Sequence, residues 1–516
     1  MTMAVVATPR VSRVDTIVIS AIALVVGACV MDQYSVGVFH DDAMYLVLAK
    51  SMATGQGYRY INLPDAPFAS HFPPLYPAVL SLIWRLAPNF PANVVAFKAM
   101  NVLLLAAIAW LTVSLVRERL GSAWLARAIG ITTAVSVPLL VLVTMVLSEP
   151  LFIVLVLATL IFSERLVTSA SATPHIIAIG LLIGVASLVR AHGIVLLPAL
   201  AIPLLLQRRW RDVTLALATA LVIIAPWQLW GRLHAADLAA PLQGNYGSYA
   251  AWWLRGYDAM GLRLIPATLM RTIPETASML VSLFSVARSP VVHDITGVAL
   301  CIALLVGGVA LWRSAPVTAL FMAGYFAIVL VWPFAPSRFV WGLWPLVLMM
   351  LAAAGWAARA EARWPAAVRA TVLACSAWLA VGYASYEFRA IRGQWWSSIS
   401  RAASPRVDSV VAWTRANTAR DAVVAADDEG AVFLYTGRHS VPVASFTTAD
   451  YLGTRTPAVE AAEGLVPLLA RYPISVVLVG SPRTFDAAQY LASGPSPLLV
   501  LRDQFAGGAA FTVLPR

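Results

Sequence analysis

Two adjacent aspartates, Asp41 and Asp42, follow the first long apolar run, in the segment 39–45 that reads FHDDAMY. Carboxylates beside a membrane span are costly to keep near lipid unless they have a role. One carboxylate suffices as a general base that takes a proton from an attacking hydroxyl or amine. Adjacent side chains point in different directions on a regular backbone, so this pair does not form the opposed acid and base of a glycoside hydrolase. The alternative is that one aspartate caps the helix that follows, and one residue can do both.

His40 precedes this pair, and a His-Asp-Asp triplet invites a metal site. Metal ligands need a spacing that lets side chains converge, and adjacent residues rarely do so without a distant ligand. The sequence therefore favours chemistry without a divalent metal. The three cysteines lie in apolar runs without CxxC or Cys/His spacing, so neither a disulfide framework nor a zinc site is indicated.

Two arginines, Arg190 and Arg338, fall at the ends of later apolar runs. A guanidinium group matches phosphate oxygens in geometry and charge, so both arginines suit a substrate that carries phosphate. The alternative for each is an interfacial anchor whose guanidinium reaches water. Glu149, between Ser148 and Pro150, is interpreted as the residue that starts a helix, and a role in the site is the second interpretation.

The composition indicates the kind of element that must position these residues. The chain has 516 residues, of which 60% are hydrophobic and 12% charged, and its mean hydropathy is +0.79. These values exclude a soluble globular domain and predict an all-α polytopic membrane bundle. The net charge is +11, but the basic residues lie in short loops between apolar runs, where they set orientation. We therefore expect no nucleic-acid partner.

Apolar runs predict about eleven spans. Arg10 and Arg13 precede the first run without a cleavage site after it, which indicates a cytoplasmic N-terminus and an uncleaved span. Alternation then places the inner arginines on the cytoplasmic side, and it places 38–93, 232–294 and everything after about 388 outside. The predicted spans lie near 15–37, 94–116, 122–141, 143–163, 175–190, 191–207, 212–231, 295–312, 315–334, 338–357 and 366–387.

The tail changes character. Residues 389–516 alternate helical stretches with short β-branched runs at 422–425, 475–479 and 498–501, which predicts a small extracytoplasmic α/β domain after a transmembrane domain of residues 1–388. We expect the tail to position the acceptor or cover the site. Its acidic triplet 427–429 is interpreted as a solvated face.

A resemblance emerges along the first outer loop. Tyr45 stands three residues after Asp42, and the segments 55–58 (GQGY) and 71–77 (HFPPLYP) follow. Together they resemble the first loop of bacterial relatives of the protein O-mannosyltransferases and of the lipid A aminoarabinose transferases, within the glycosyltransferase C superfamily. Shorter matches are 148–150 (SEP), 188–190 (LVR), 337–339 (SRF) and 435–438 (YTGR).

The resemblance implies transfer of a sugar from a polyprenyl or dolichyl phosphate to an acceptor hydroxyl or amine, with inversion at the anomeric carbon. A phosphate leaving group needs no general acid, so Asp41 would be the base, while Asp42 would orient it, bind acceptor or cap the helix. Phe72 stands where the aminoarabinose transferases have Lys, and His71 beside it could donate to phosphate instead. The residues expected to contact substrate are His40, Tyr45, Tyr58, His71, Tyr76, Arg190 and Arg338.

The implied partners are the polyprenyl-phosphate sugar donor, an acceptor glycan, lipid or protein, and membrane lipids, with no further cofactor. The implied location is the inner (plasma) membrane. The alternative from another class is a transporter or flippase, which usually has polar residues at mid-membrane depth and paired halves. Here the mid-span positions are nearly all apolar, and no inverted repeat is evident. A ligase of whole lipid-linked glycans would carry its key residues in a late loop.

Overall fold

The computed structural model describes residues 13–169, 172–332, 334–447 and 458–515. Arg10, part of the predicted N-terminal charge signal, lies outside these residues. The helices that precede the C-terminal sheet are α1 (Arg13–Val30), α2 (Asp41–Ala53), α3 (Leu75–Leu86), α4 (Val94–Leu120), α5 (Ala123–Val135), α6 (Val137–Thr144), α7 (Glu149–Thr168), α8 (Thr173–Val189), α9 (Leu196–Leu206), α10 (Trp210–Leu233), α11 (Gln243–Tyr246), α12 (Tyr249–Met260), α13 (Leu264–Phe284), α14 (Pro290–Ser314), α15 (Pro316–Leu330), α16 (Ser337–Trp341), α17 (Trp344–Ala360), α18 (Ala366–Arg392) and α19 (Ser398–Asn417).

Apolar helices dominate this part of the chain. Among the described residues, five helices are long and apolar enough to cross a membrane, namely α4, α7, α10, α14 and α18. The pair α5 and α6, bent by 44°, makes a sixth if it is counted as one span. The break falls just before Pro138, which lacks the N–H needed to continue the α5 ladder. The remaining predicted spans coincide with shorter apolar helices, so the count of about eleven stays a prediction.

The first loop folds into two helices. In α2, residues 42–49 are all buried, because other parts of the chain cover this helix on every side. In α3, Tyr76, Leu80 and Trp84 face the interior, while Leu82 and Leu86 are exposed. Apolar side chains therefore lie on both sides of this helix, one side packed against the protein and the other exposed.

The C-terminal residues form a mixed five-stranded sheet with helices. Its order is β2-β1-β3-β5-β4, in which β1 pairs in parallel with β2 and β3, and β5 pairs antiparallel with β3 and β4. The sequence predicts β1, β3 and β4 but not β2 or β5, which are short or rich in small residues. The elements are β1 (Val423–Ala426), α20 (Glu429–Thr436), β2 (His439–Pro442), α21 (Ala458–Arg471), β3 (Ile474–Val479), α22 (Pro482–Ser493), β4 (Leu499–Phe505) and β5 (Gly508–Val513).

The sheet region packs directly on the first loop. The Ser440 N–H donates to the Asn62 carbonyl at 2.8 Å. Two glycines permit the close approach of α20 to α2. A Cβ on Gly430 would lie 2.8 Å from the Ala43 Cβ, and a Cβ on Gly37, whose φ is +95°, would lie 2.5 Å from the Ala431 Cβ. Helix α20 of the C-terminal region thus contacts the start of α2.

The interpretation of 427–429 as a solvated face is wrong. Asp427 accepts hydrogen bonds from Gly480 and Ser481 N–H groups at 2.8 and 2.9 Å. Asp428 pairs with Arg406, and Glu429 is 1% exposed. The triplet follows the end of β1, where a neighbouring loop and α19 supply donors to the two half-buried aspartates, and Glu429 is buried.

Candidate functional site

A cavity of about 460 Å³ lies between the first loop, the ends of two apolar segments and the sheet region. Asp41 and Tyr45 of α2 line it, as do Arg190 at the end of α8 and Arg338 in α16. Phe446, which follows β2, completes the opposite side. Trp252 of α12 lines it as well, so the cavity collects side chains from five distant parts of the chain.

Asp41 is the first residue of α2 and faces this cavity. Its Oδ2 lies 2.6 Å from the Arg338 Nη1. Burial raises the pKa of Asp41, but the charges of Arg338 and His40 outweigh burial and hold the pKa below its ordinary value. Asp41 is therefore an ionised carboxylate at neutral pH, with the charge state that a general base requires.

Asp42 has a different environment from its neighbour. Its two carboxylate oxygens accept from the Gly37 N–H at 2.7 Å and the Phe39 N–H at 3.1 Å. Burial raises the pKa of Asp42, since the three backbone donors of Gly37, Phe39 and Ala43 only partly offset the loss of water. Asp42 therefore fixes the turn that leads into α2, and its orienting role toward Asp41 stays a prediction.

Glu149, the first residue of α7, lies between the two arginines. Its Oε1 is 2.8 Å from the Arg190 Nη1, and its two oxygens accept from the Arg338 Nε and Nη2. Glu149 is 1% exposed. We call Glu149, Arg190 and Arg338 the arginine cluster. Glu149 starts a helix as expected, and it also holds both guanidinium groups in place.

Tyr45 and Ser148 join the arginine cluster to α2. The Tyr45 hydroxyl is 3.0 Å from the Ser148 Oγ, which also accepts from the Arg190 Nη1 at 3.1 Å. Burial, reinforced by the charge of Asp41, raises the pKa of Tyr45 to about 12. Its hydroxyl therefore keeps its proton at neutral pH and can act as a hydrogen-bond donor.

His71 lines the cavity, and its Nδ1–H donates to the Gly247 carbonyl at 2.6 Å. Burial lowers the pKa of His71 to about 4, despite the opposing effects of Gly247 and Asp41. A neutral ring with this proton engaged presents Nε2 as an acceptor. Such a ring suits a substrate hydroxyl better than the phosphate contact suggested by the sequence.

The structure does not bring two of the expected substrate-binding residues to the cavity. Tyr58 donates from its hydroxyl to the Phe72 carbonyl at 2.8 Å. The Tyr76 ring packs edge-on against Tyr45, with centroids 5.0 Å apart. Both tyrosines lie behind the wall and support Tyr45 and Phe72, which do line the cavity. The tyrosines of the Gly-x-Gly-Tyr and Pro-Pro-Leu-Tyr-Pro motifs therefore support the wall from behind.

Several cavity residues were not predicted. Trp252 and Phe446 stack with centroids 4.8 Å apart and planes at 16°. His192 is 7% exposed, and its Nε2 has no hydrogen-bond partner among the described residues. Within that same part of the chain, no group of three His, Cys, Asp or Glu side chains is arranged to hold a metal. A histidine in the Arg190-Ala191-His192 sequence at the end of an apolar run is the one signal that could have been noticed.

Solved structures share this architecture. ArnT from Cupriavidus metallidurans, bound to undecaprenyl phosphate, matches with a TM-score of 0.59 and 14% identity, over 98% of this chain and 100% of that one. Archaeal oligosaccharyltransferase AglB from Archaeoglobus fulgidus, in complex with an inhibitory peptide and a dolichol-phosphate, matches with a TM-score of 0.52 and 11% identity, over 97% and 74%. The chain has the glycosyltransferase C fold.

No protein-family model and no curated protein sequence matches the chain. The glycosyltransferase C fold is thus recognised through three-dimensional structure and through the short motifs of the first loop. Within this fold, the cavity brings together Asp41, Arg190 and Arg338, which are separated by long stretches of sequence.

Proposed function

We propose that the protein is an integral membrane glycosyltransferase. It moves a sugar from a polyprenyl-phosphate donor to an acceptor on the extracytoplasmic side, with inversion, and Asp41 is the general base. One observation carries the proposal: Asp41 faces a cavity and contacts Arg338, whose other partner is the buried Glu149. The lipid phosphates bound to ArnT and AglB, which have the same fold, support the donor class.

The reaction balances in charge within this site. The acceptor oxygen or nitrogen attacks the anomeric carbon, its proton passes to Asp41, and the electron pair of the breaking carbon–oxygen bond stays on the phosphate. Asp41 thus loses its negative charge as the phosphate gains one. Arg338 donates to Asp41 at the cavity, so it can transfer this hydrogen bond to the phosphate oxygen as that charge develops.

The arginine cluster has the properties of a lipid-phosphate site. Two guanidinium groups share one carboxylate, so the cluster alone carries one net positive charge. A phosphodiester with one negative charge neutralises it without removing Glu149. Tyr45 keeps its proton and lies beside Ser148 on this wall, where it can donate to a second phosphate oxygen.

The positive-inside pattern supports a reaction on the extracytoplasmic side. With a cytoplasmic N-terminus, the positive-inside pattern puts α2, α3 and the C-terminal sheet on the extracytoplasmic face of the plasma membrane. A protease site inserted at Gly55–Gly57, an exposed turn after α2, tests this orientation. Cleavage from outside intact spheroplasts is the expected result, and cleavage restricted to inverted vesicles would contradict the proposal.

The enzyme assay uses the purified protein in liposomes with a panel of polyprenyl-phosphate sugars and detects release of polyprenyl phosphate. We expect Asp41→Asn to lower kcat by about 10²- to 10⁴-fold, because the base is lost. Asp503→Asn, in β4, makes the same chemical change away from the cavity and should retain full activity. Undiminished turnover by Asp41→Asn would overturn the base assignment. Lipid movement across the bilayer without release from any donor would favour a flippase.

A further inference from the structure

One buried carboxylate of the C-terminal sheet region lies close to the residue that precedes α2. Glu429, the first residue of α20, is 1% exposed, and its Oε1 accepts from the Tyr246 hydroxyl at 2.8 Å. The same Oε1 lies 3.7 Å from the Nδ1 of His40. His40 lines the cavity and immediately precedes Asp41. Glu429 thus lies beside the residue that immediately precedes the proposed base.

The carboxylate of Glu429 is held from several directions. The Tyr246 hydroxyl, which donates to Glu429, accepts in turn from the Asn62 Nδ2 at 3.1 Å. Asn62 also donates to the Ser440 carbonyl, and the Ser440 Oγ donates to the backbone carbonyl of Glu429. Asn62 of the first loop, Tyr246 of α11 and Ser440 of β2 therefore converge on it. A carboxyl group fixed in this way keeps its Oε1 at a constant distance from the His40 ring.

His40 has a backbone conformation that needs such support. Its φ is 60° and its ψ is −60°, and the Asp41 N–H donates to the Phe39 carbonyl at 2.7 Å across it. This is a γ-turn with positive φ, which is rare and strained for a residue with a side chain. Strained conformations of this kind persist only where the surroundings hold them. The turn also sets the direction in which Asp41 leaves the start of α2.

We propose that Glu429 is a positioning residue. By holding the imidazole of His40, it maintains the γ-turn and places the Asp41 carboxylate against Arg338. The C-terminal region would then be required for turnover, although it supplies no reacting group. This inference rests on the proposed function, because it concerns the placement of the base in that reaction.

The first experiment measures kcat and KM for the donor with Glu429→Gln and Tyr246→Phe. A base displaced by about 1 Å can lose up to about 10²-fold in rate. We expect kcat to fall by about 10-fold or more in Glu429→Gln, with KM for the donor unchanged, since the arginine cluster remains intact. Tyr246→Phe should have a smaller effect of the same kind. Unchanged kcat in Glu429→Gln would overturn the proposal.

A control separates positioning from general loosening of the C-terminal region. Asp428→Asn breaks the ion pair with Arg406 one residue away and should lower the thermal stability without lowering kcat. A fall in kcat with Asp428→Asn equal to that with Glu429→Gln would show that loosening alone explains the loss. That result would also overturn the proposal.

A double-mutant cycle tests whether Glu429 acts through His40. Glycine adopts positive φ without strain, so His40→Gly removes the need for support. In that background, Glu429→Gln should have little further effect on kcat, whereas independent roles would multiply the two losses. Multiplied losses would therefore contradict the proposal.

The position of Asp41 can also be measured directly, without an activity assay. In a cryo-electron microscopy structure of Glu429→Gln, the distance from the Asp41 Oδ2 to the Arg338 Nη1 should exceed the 2.6 Å of the unaltered protein. An unchanged distance and turn would refute the positioning role. Failure of the proposed function would be seen separately, as absence of transfer by the unaltered protein with every donor.

Discussion

Two regions hold the cavity by different physical means. In the arginine cluster, Glu149, Arg190 and Arg338 are buried charges that compensate one another. In what we call the C-terminal contact, the carboxylate of Glu429 receives a neutral tyrosine donor, and Phe446 packs by its ring. Removing a member of the first leaves an unpaired buried charge. Removing a member of the second leaves only a polar group or a small gap, so the two regions should differ in sensitivity.

The largest stability effect is expected in the arginine cluster. Glu149→Gln leaves two buried guanidinium groups without their shared carboxylate and should reduce the free energy of unfolding by about 3–5 kcal/mol. Denaturant unfolding in detergent measures this change in the free energy of unfolding. The matched control is Glu118→Gln, which breaks an ion pair with Arg165 whose side chains are 29% and 51% exposed. Its loss should stay below about 1 kcal/mol.

Equal losses of unfolding free energy in Glu149→Gln and Glu118→Gln would contradict the expected difference between the buried and the exposed ion pairs. They would mean that water reaches the arginine cluster as freely as it reaches the surface, so that burial does not distinguish the two pairs.

A second prediction concerns the pH dependence of activity. Arg338→Gln removes the charge that opposes burial, so the pKa of Asp41 should rise above its ordinary value of 3.8. A base must be deprotonated, so the acid limb of the kcat/KM profile should move to higher pH, by about one unit or more. Turnover measured across the acid range provides the test.

Arg190→Gln is the matched control for this shift. Arg190 pairs with Glu149 and not with the base itself. Its loss should therefore weaken donor binding but shift the acid limb of the kcat/KM profile less. An equal shift in both variants would indicate that the limb does not report the titration of Asp41.

The smallest effect is expected at the aromatic side of the C-terminal contact. Phe446→Ala removes a stacked ring from the cavity wall, an interaction of about 0.5–1.5 kcal/mol. We expect KM for donor or acceptor to rise by several-fold, about the size of this energy, with kcat unchanged. Phe505→Ala, which removes the ring stacked on Trp413 with centroids 5.6 Å apart, is the control away from the cavity. A larger fall in kcat with Phe446→Ala than with Glu429→Gln would reverse the expected order.

The sequence by itself determined that the protein is a bundle of apolar helices, and it predicted which charged residues would form the site. Long apolar runs predicted the helices, because each helix satisfies its own backbone and its span depends only on local composition. The acidic pair and two arginines at helix ends were recognisable for the same reason, since charges next to lipid require a cause. The structure brings Asp41, Arg190 and Arg338 to one cavity, as the sequence suggested.

Only the tertiary structure decided which groups hold these residues. Glu149 meets Arg338 across 189 positions, and Arg338 meets Asp41 across 297. In sequence, a glutamate that only starts a helix looks the same as one that is also the buried partner of two arginines. Likewise, an acidic triplet on a solvated face looks the same as one whose carboxylates are bonded by protein donors. Tyr58 and Tyr76 match motifs of the first loop yet lie behind the cavity wall. Local pattern specifies elements, whereas contacts between distant side chains follow from how the elements pack.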